Sequence, residues 1–178
     1  MACEFINKSR NLPCANGFSG IKAVGFLPRT TLTLSGDDTF EGVGLTGSIY
    51  RYELYGDGNT YEDDGVSDES AFTTVYTGSL KISLPILDKE TRNQMKLLTY
   101  SRPQIFLELF NETILLAGVN NGCKLVSTKA TTGGARKDMQ GWNLEFKSEE
   151  KIPFVFVGAT GSTAYKSAIN LTGVINPS

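Results

Sequence analysis

Histidine is absent from this 178-residue chain. That removes imidazole from every conceivable mechanism: serine and cysteine triads, most zinc sites, and the commonest general base near neutral pH. Cysteine is scarce. Cys3, Cys14 and Cys123 are an odd number at wide spacing, which fits neither a disulfide framework nor a CxxC metal or redox pair. A Cys3–Cys14 bridge is geometrically conceivable across the loop holding Pro13, but nothing in the sequence indicates an oxidising compartment. Long apolar runs are missing too, so no stretch matches a bilayer span, and Glu4, Asn7 and Lys8 leave residues 1–10 without the apolar block of a secretory leader. Neither charge dominates. Seventeen basic against nineteen acidic residues give a net charge of −2, which argues against a grip on nucleic acid that depends on neutralising phosphates.

What is present reads as one domain over 1–178, with a flexible segment at about 1–15 and an extension at about 158–178. With 40% apolar and 20% charged residues, the chain can build an ordinary core without staples. Residues 21–26, 31–34 and 49–55 read as strands, the last with Tyr50, Tyr52 and Leu54 on one face. Along 72–84, Phe72, Thr74, Tyr76, Gly78, Leu80, Ile82 and Leu84 alternate with Thr73, Val75, Thr77, Ser79, Lys81 and Ser83, the period of a strand. Such a strand spans roughly 40 Å, against about five or six residues in an average one, so part of it should project beyond its own core. A single helix is expected over 88–100. Asp88 can cap its first amides, Thr91, Met95 and Leu98 recur at helical spacing, and Arg102-Pro103 closes it. Residues 104–109 and 113–119 read as a hairpin about Asn111-Glu112, followed by strands at 124–127 and 142–146. Residues 154–157 are apolar on both faces and are expected in the core rather than half covered by another subunit. The tail after residue 158, with Ile169, Leu171, Val174 and Ile175 as docking points, is expected to stay mobile until assembly.

The chemistry-bearing strings fail on context. Gly42-Val43-Gly44-Leu45-Thr46-Gly47 matches GxGxxG, but a strand and not a helix follows, so the glycines suit a tight or bulged connection. Residues 161–167 end in Lys166-Ser167 without the glycine a P-loop needs before its lysine. Residues 56–70 read as a polar loop. Its Asp57, Glu62, Asp63, Asp64, Asp68 and Glu69 are uncompensated by any local cation. As a calcium loop it is wrong at Tyr61, where a ligand belongs, and at Glu62, where glycine belongs. Glu149-Glu150 point to opposite faces of a strand end and cannot converge on one bond. No catalytic residue, metal ligand or cofactor is therefore expected.

The order of several short strings carries a resemblance. Gly20-Ile21-Lys22-Ala23-Val24, the long strand leading into 88–100, Arg102-Pro103-Gln104, Leu116-Ala117-Gly118, Gly141-Trp142-Asn143-Leu144 and Glu150-Lys151-Ile152-Pro153 follow one another as in bacteriophage tail tube proteins, the major tail proteins of long-tailed phages. The chain resembles that family from about residue 13 to 157. The resemblance implies a mainly β fold: an antiparallel β-sandwich or partly closed barrel with one flanking α-helix and a long projecting strand or hairpin before it. It implies six copies in a ring and rings stacked into a hollow tube. It also implies other tail proteins as partners (terminator, distal tail and tape measure), and double-stranded DNA passing through the lumen without specific binding. The implied location is the virion tail, assembled in the host cytoplasm, with no membrane and no catalysis. Tube proteins of contractile injection or secretion systems, and virion decoration or baseplate proteins, are the alternatives. On this reading 56–70 reaches a neighbouring subunit or ring, Phe72, Val75 and Tyr76 lie on the inter-subunit strand, and the bore is neutral to acidic rather than lined by Lys22, Arg51, Lys81 and Arg136.

Overall fold

Strand periodicity dominates the chain and is realised as two antiparallel sheets packed face to face. The computed structural model describes residues 10, 18–172 and 175. One sheet contains β1 (Ile21–Leu27), β2 (Tyr50–Glu53), β5 (Gln104–Leu109), β6 (Ile114–Ala117) and β9 (Val155–Phe156), in the order β2-β1-β5-β6-β9. The other contains β3 (Thr60–Asp68), β4 (Thr73–Pro85), β7 (Lys124–Thr131) and β8 (Gly141–Glu150), in the order β3-β4-β8-β7. Neither sheet closes into a barrel, so the sandwich is the form adopted.

The alternation along β4 puts Leu80, Ile82 and Leu84 inward, opposite Phe146, Leu144 and Trp142 of β8. These meet Val24, Phe26, Ile105 and Leu107 of the other sheet in the principal core. Full burial of each such side chain contributes about 1.5–3 kcal/mol. Helix α1 (Lys89–Tyr100) closes one end. The Asp88 carboxylate accepts from the Thr91 amide at 2.7 Å, Glu90 sits favourably in the first turn, and Thr91 and Met95 are buried. Its last turn ends with the Ser101 amide on the Leu98 carbonyl.

The five-stranded sheet is covered on both faces, which is why β1 and β6 are almost wholly buried. Its outer face carries a second core of Leu27, Phe40, Ile49, Phe106, Leu116 and Tyr165, built by the connection 30–49 and by a second helix, α2 (Ala159–Ala168). The part of the tail expected to stay mobile that runs from Ala159 to Asn170 is therefore docked, while Leu171 stays exposed. Tyr165 is fully buried, and the backbone of Ile49 bonds Ala168 and Asn170. Small residues allow this approach. The Phe40 carbonyl leaves no room for a Cβ on Gly161, and a Cβ on Gly42, at φ 88°, would stand 2.7 Å from that of Ala164. The glycines of 42–47 thus serve a close connection, as their context suggested.

Other expectations are corrected. Residues 56–70 are not a loop: 60–68 form β3, paired residue for residue with β4 from Thr60↔Lys81 to Asp68↔Thr73. Its acidic composition is overridden by the hydrogen-bonding border of β4 and by alternation that sends Tyr61 and Asp63 inward. Residues 31–34 form no strand; only Leu34 bridges Phe40. Residues 154–157 are not central. β9 is a two-residue edge strand with Val155 buried and Phe156 54% exposed, and Pro153 before it suits an edge because it has no amide to donate. β7 runs on to Thr131, past the expected end at 127. Cys123 is a buried free thiol. Cys3, Cys14, Val174 and, apart from Arg10, the 1–15 segment lie outside the described residues.

Candidate assembly surface

The four-stranded sheet has one face in the core and the other open. On the open face of β3 stand Glu62, Asp64 and Asp68, and on that of β7 stand Lys124 and Lys129. Between them, β4 and β8 carry Lys81, Glu145, Lys147 and Glu149. The two border strands therefore carry opposite charge, β3 purely acidic and β7 purely basic, while the sign alternates across β4 and β8 between them. Among the described residues, neither β3 nor β7 has a strand partner on its outer side. Unpaired borders of this kind are ready templates for a further strand.

The β3–β4 hairpin projects. β8 accompanies β4 only from Pro85 to Tyr76, so Thr73–Val75 and the opposing Val66–Asp68 extend about 10 Å further. The tip is a built turn. Asp68 Oδ1 accepts from the Ser70 amide (2.8 Å), the Ser70 hydroxyl (2.6 Å) and the Ala71 amide (3.2 Å). These bonds, the Ser70 hydroxyl foremost, hold the carboxylate below its usual range. The turn delivers Phe72 at φ 51°, 95% exposed, beside the exposed cross-strand pair Val66 and Val75. A bulky residue in the left-handed region is unusual, and strain of about 1–3 kcal/mol is kept where a function needs the displayed group.

Strand alternation separates the residues singled out from sequence. Glu62, Asp64 and Asp68 share the open face, Glu69 lies in the tip turn, and Asp57 lies exposed in the connection between β2 and β3. Asp63 faces inward, where its Oδ2 accepts from the Phe154 amide at 2.8 Å. Phe72 and Val75 are exposed at the projecting end, whereas Tyr76 is half-buried and opposes Glu150. Lys22, Arg51, Lys81 and Arg136 do not gather. They occupy β1, β2, β4 and the loop after β7.

Sequence reasoning passed over Lys124 and Lys129. Plain alternation would send these two to opposite faces, since they stand five positions apart; the irregularity between Leu125 and Ser127 returns both to the open face. Sequence reasoning also missed the anchor of α2. Arg51 grips Glu108 through Nε (2.9 Å) and Nη2 (2.8 Å) and reaches Glu53 through Nη1 (2.7 Å), while the Tyr165 hydroxyl donates to Glu108 at 2.9 Å. The Arg51 bonds, ahead of that from Tyr165, hold the Glu108 carboxyl below its ordinary range against the opposing effect of burial. These partners come from distant parts of the chain.

Among the described residues, no group of three or more Cys, Asp and Glu is placed to hold a metal ion, and no helix is long and apolar enough to cross a membrane. The geometry instead offers two complementary borders and one projecting arm. Compared with protein-family models, curated proteins and solved structures, the chain finds no match.

Proposed function

We propose that this chain is a structural virion protein whose copies join into hexameric rings that stack as a phage tail tube, the conduit for genome ejection. The observation that supports this reading is the pair of borders on the four-stranded sheet that have no strand partner among the described residues, acidic on β3 and basic on β7. An even number of antiparallel strands leaves the two border strands running in opposite directions. A head-to-tail repeat then joins β7 of one copy to β3 of the next in antiparallel register, with the alternation unbroken around a closed ring. Like borders repel and unlike borders attract, so the same charges that oppose acid-to-acid and base-to-base pairing favour this one.

In such a ring the open polar faces form one continuous wall, and the β3–β4 arm reaches out of the ring plane. Stacking through that arm is a second heterologous contact, which propagates into a filament. The wall would carry carboxylates and lysines in mixture, a surface over which DNA slides without the cumulative phosphate grip of a basic one. The sequence resemblance supplies the number six.

Negative-stain electron microscopy tests this directly. The native protein at high concentration is expected to give hollow striated rods or rings. Reversing the acidic border, E62K with D64K, abolishes them, as does reversing the basic border, K124E with K129E. Combining both reversals in one chain restores assembly. Solitary monomers of the native protein at every concentration would overturn the proposal.

A further inference from the structure

Beyond Leu80 and Phe146 the inner face of the four-stranded sheet turns polar, with Tyr61, Asp63, Tyr76, Ser148 and Glu150 at inward positions. They border a small, partly open space of about 10 Å3 against Gly118 and Phe154, room for one water-sized sphere. Glu150 is only 7% exposed. Its Oε1 accepts from the amides of Asn120 (2.9 Å) and Asn121 (2.7 Å), while its Oε2 is buried with no hydrogen-bond partner among the described residues.

Among the described residues the charge on this wall has no counterpart. Asp63 adds a second carboxylate, none of the described lysines or arginines borders the space, and the ion pairs among the described residues all belong to Arg51. A carboxylate taken out of water without a partner is costly. The wall also brings oxygen atoms together. A Cβ on Gly78 would stand 2.5 Å from Ser148 Oγ and 2.6 Å from Tyr61 Oη, so the bare glycine is what lets both hydroxyls reach the same spot. The neighbouring Cys123 thiol, pushed up to about 12 chiefly by burial, stays protonated and is no ligand. A water could donate to Oε2 but would bring no positive charge. A cation of similar size brings it, and hard cations take oxygen ligands of this kind.

We propose that this space is a binding site for a single monovalent cation of sodium's size, held by Glu150 Oε2 together with the hydroxyl oxygens of Ser148 and Tyr61. Two carboxylates are too few charged ligands for a dedicated divalent site, which fits the absence of any larger cluster. The site stands apart from the assembly reading, since it lies within one copy. Its occupant would tie β3 and β8 to the turn at 118–122, where both Asn120 and Asn121 hang on the same carboxylate.

The test is thermal unfolding of the native chain in sodium chloride against choline chloride at equal ionic strength, with sodium-23 NMR relaxation on the same samples. Sodium is expected to raise Tm by about 5 °C and to show protein-dependent line broadening that potassium displaces. E150Q should lose both effects, while E149Q, on the exposed neighbour, should keep them. Should E150Q fail to fold, the relaxation of the native protein decides alone. Equal Tm in both salts without broadening, an unchanged response in E150Q, or a response confined to calcium or magnesium would each overturn the assignment.

Discussion

Phe72 shows how a single residue can be chosen against its own chain. At φ 51° and 95% exposed, it costs backbone energy and contributes no burial. Glycine is free of that penalty, so F72G is expected to stabilise the monomer by about 1 kcal/mol in urea unfolding while shortening or abolishing tubes. Glu108 is the opposite case, a carboxylate whose bonds hold α2 to the five-stranded sheet. Its folded-state value lies below its unfolded one near 4.5. Its contribution is therefore whole above about pH 4.5 and is lost as the pH falls through the depressed folded value. E108Q should cost about 1.5–3 kcal/mol at neutral pH and flatten the acid limb of a stability-versus-pH curve. An acid limb unchanged by E108Q would show that other carboxylates carry it.

At the scale of elements, the hairpin of β3 and β4 divides into two parts. The part from Thr60 to Gly65 belongs to the sandwich, because Tyr61 packs against the core and Asp63 holds the Phe154 amide. Removing all of 57–69 would therefore strip the border of β4 rather than trim a loop. The tip is different. Replacing 66–75 by Asn-Gly, a two-residue turn that suits the Gly65↔Tyr76 pair, should leave monomer stability within about 1 kcal/mol, since every replaced side chain is exposed. Electron microscopy of that variant should show single rings that fail to stack. Long tubes from the trimmed protein would exclude the arm from stacking.

For the whole molecule, the two sheets have different tasks. The five-stranded sheet is enclosed between the principal core and α2, while among the described residues the four-stranded one leaves a face and two borders open. Opposite-charge neighbours across a strand pair are worth about 0.2–1 kcal/mol each, and exposed charges are screened beyond about 10 Å at 0.1 M salt. Ring assembly should accordingly slow and weaken as sodium chloride rises from 0.05 to 1 M, by roughly tenfold or more in the midpoint concentration seen by light scattering. Assembly that strengthens with salt would point to apolar contacts, such as those of Phe72 and Phe156, as the main adhesive.

Local pattern determined much of this architecture. The alternation of 72–84 and 142–146, the Asp88 cap with Met95 two turns on, and the Asn111-Glu112 turn are decided within a few residues, because side-chain direction follows directly from helix or strand period. Tertiary structure alone decided the rest. The 60–68 segment became a strand because β4 offered it a hydrogen-bonding border. The tail helix is held where it is by Tyr165 on Glu108, a partner 57 residues away that Arg51 also binds. The separation of acidic from basic borders depended on strand order, and strand order rests on contacts between distant segments that no local window of sequence contains.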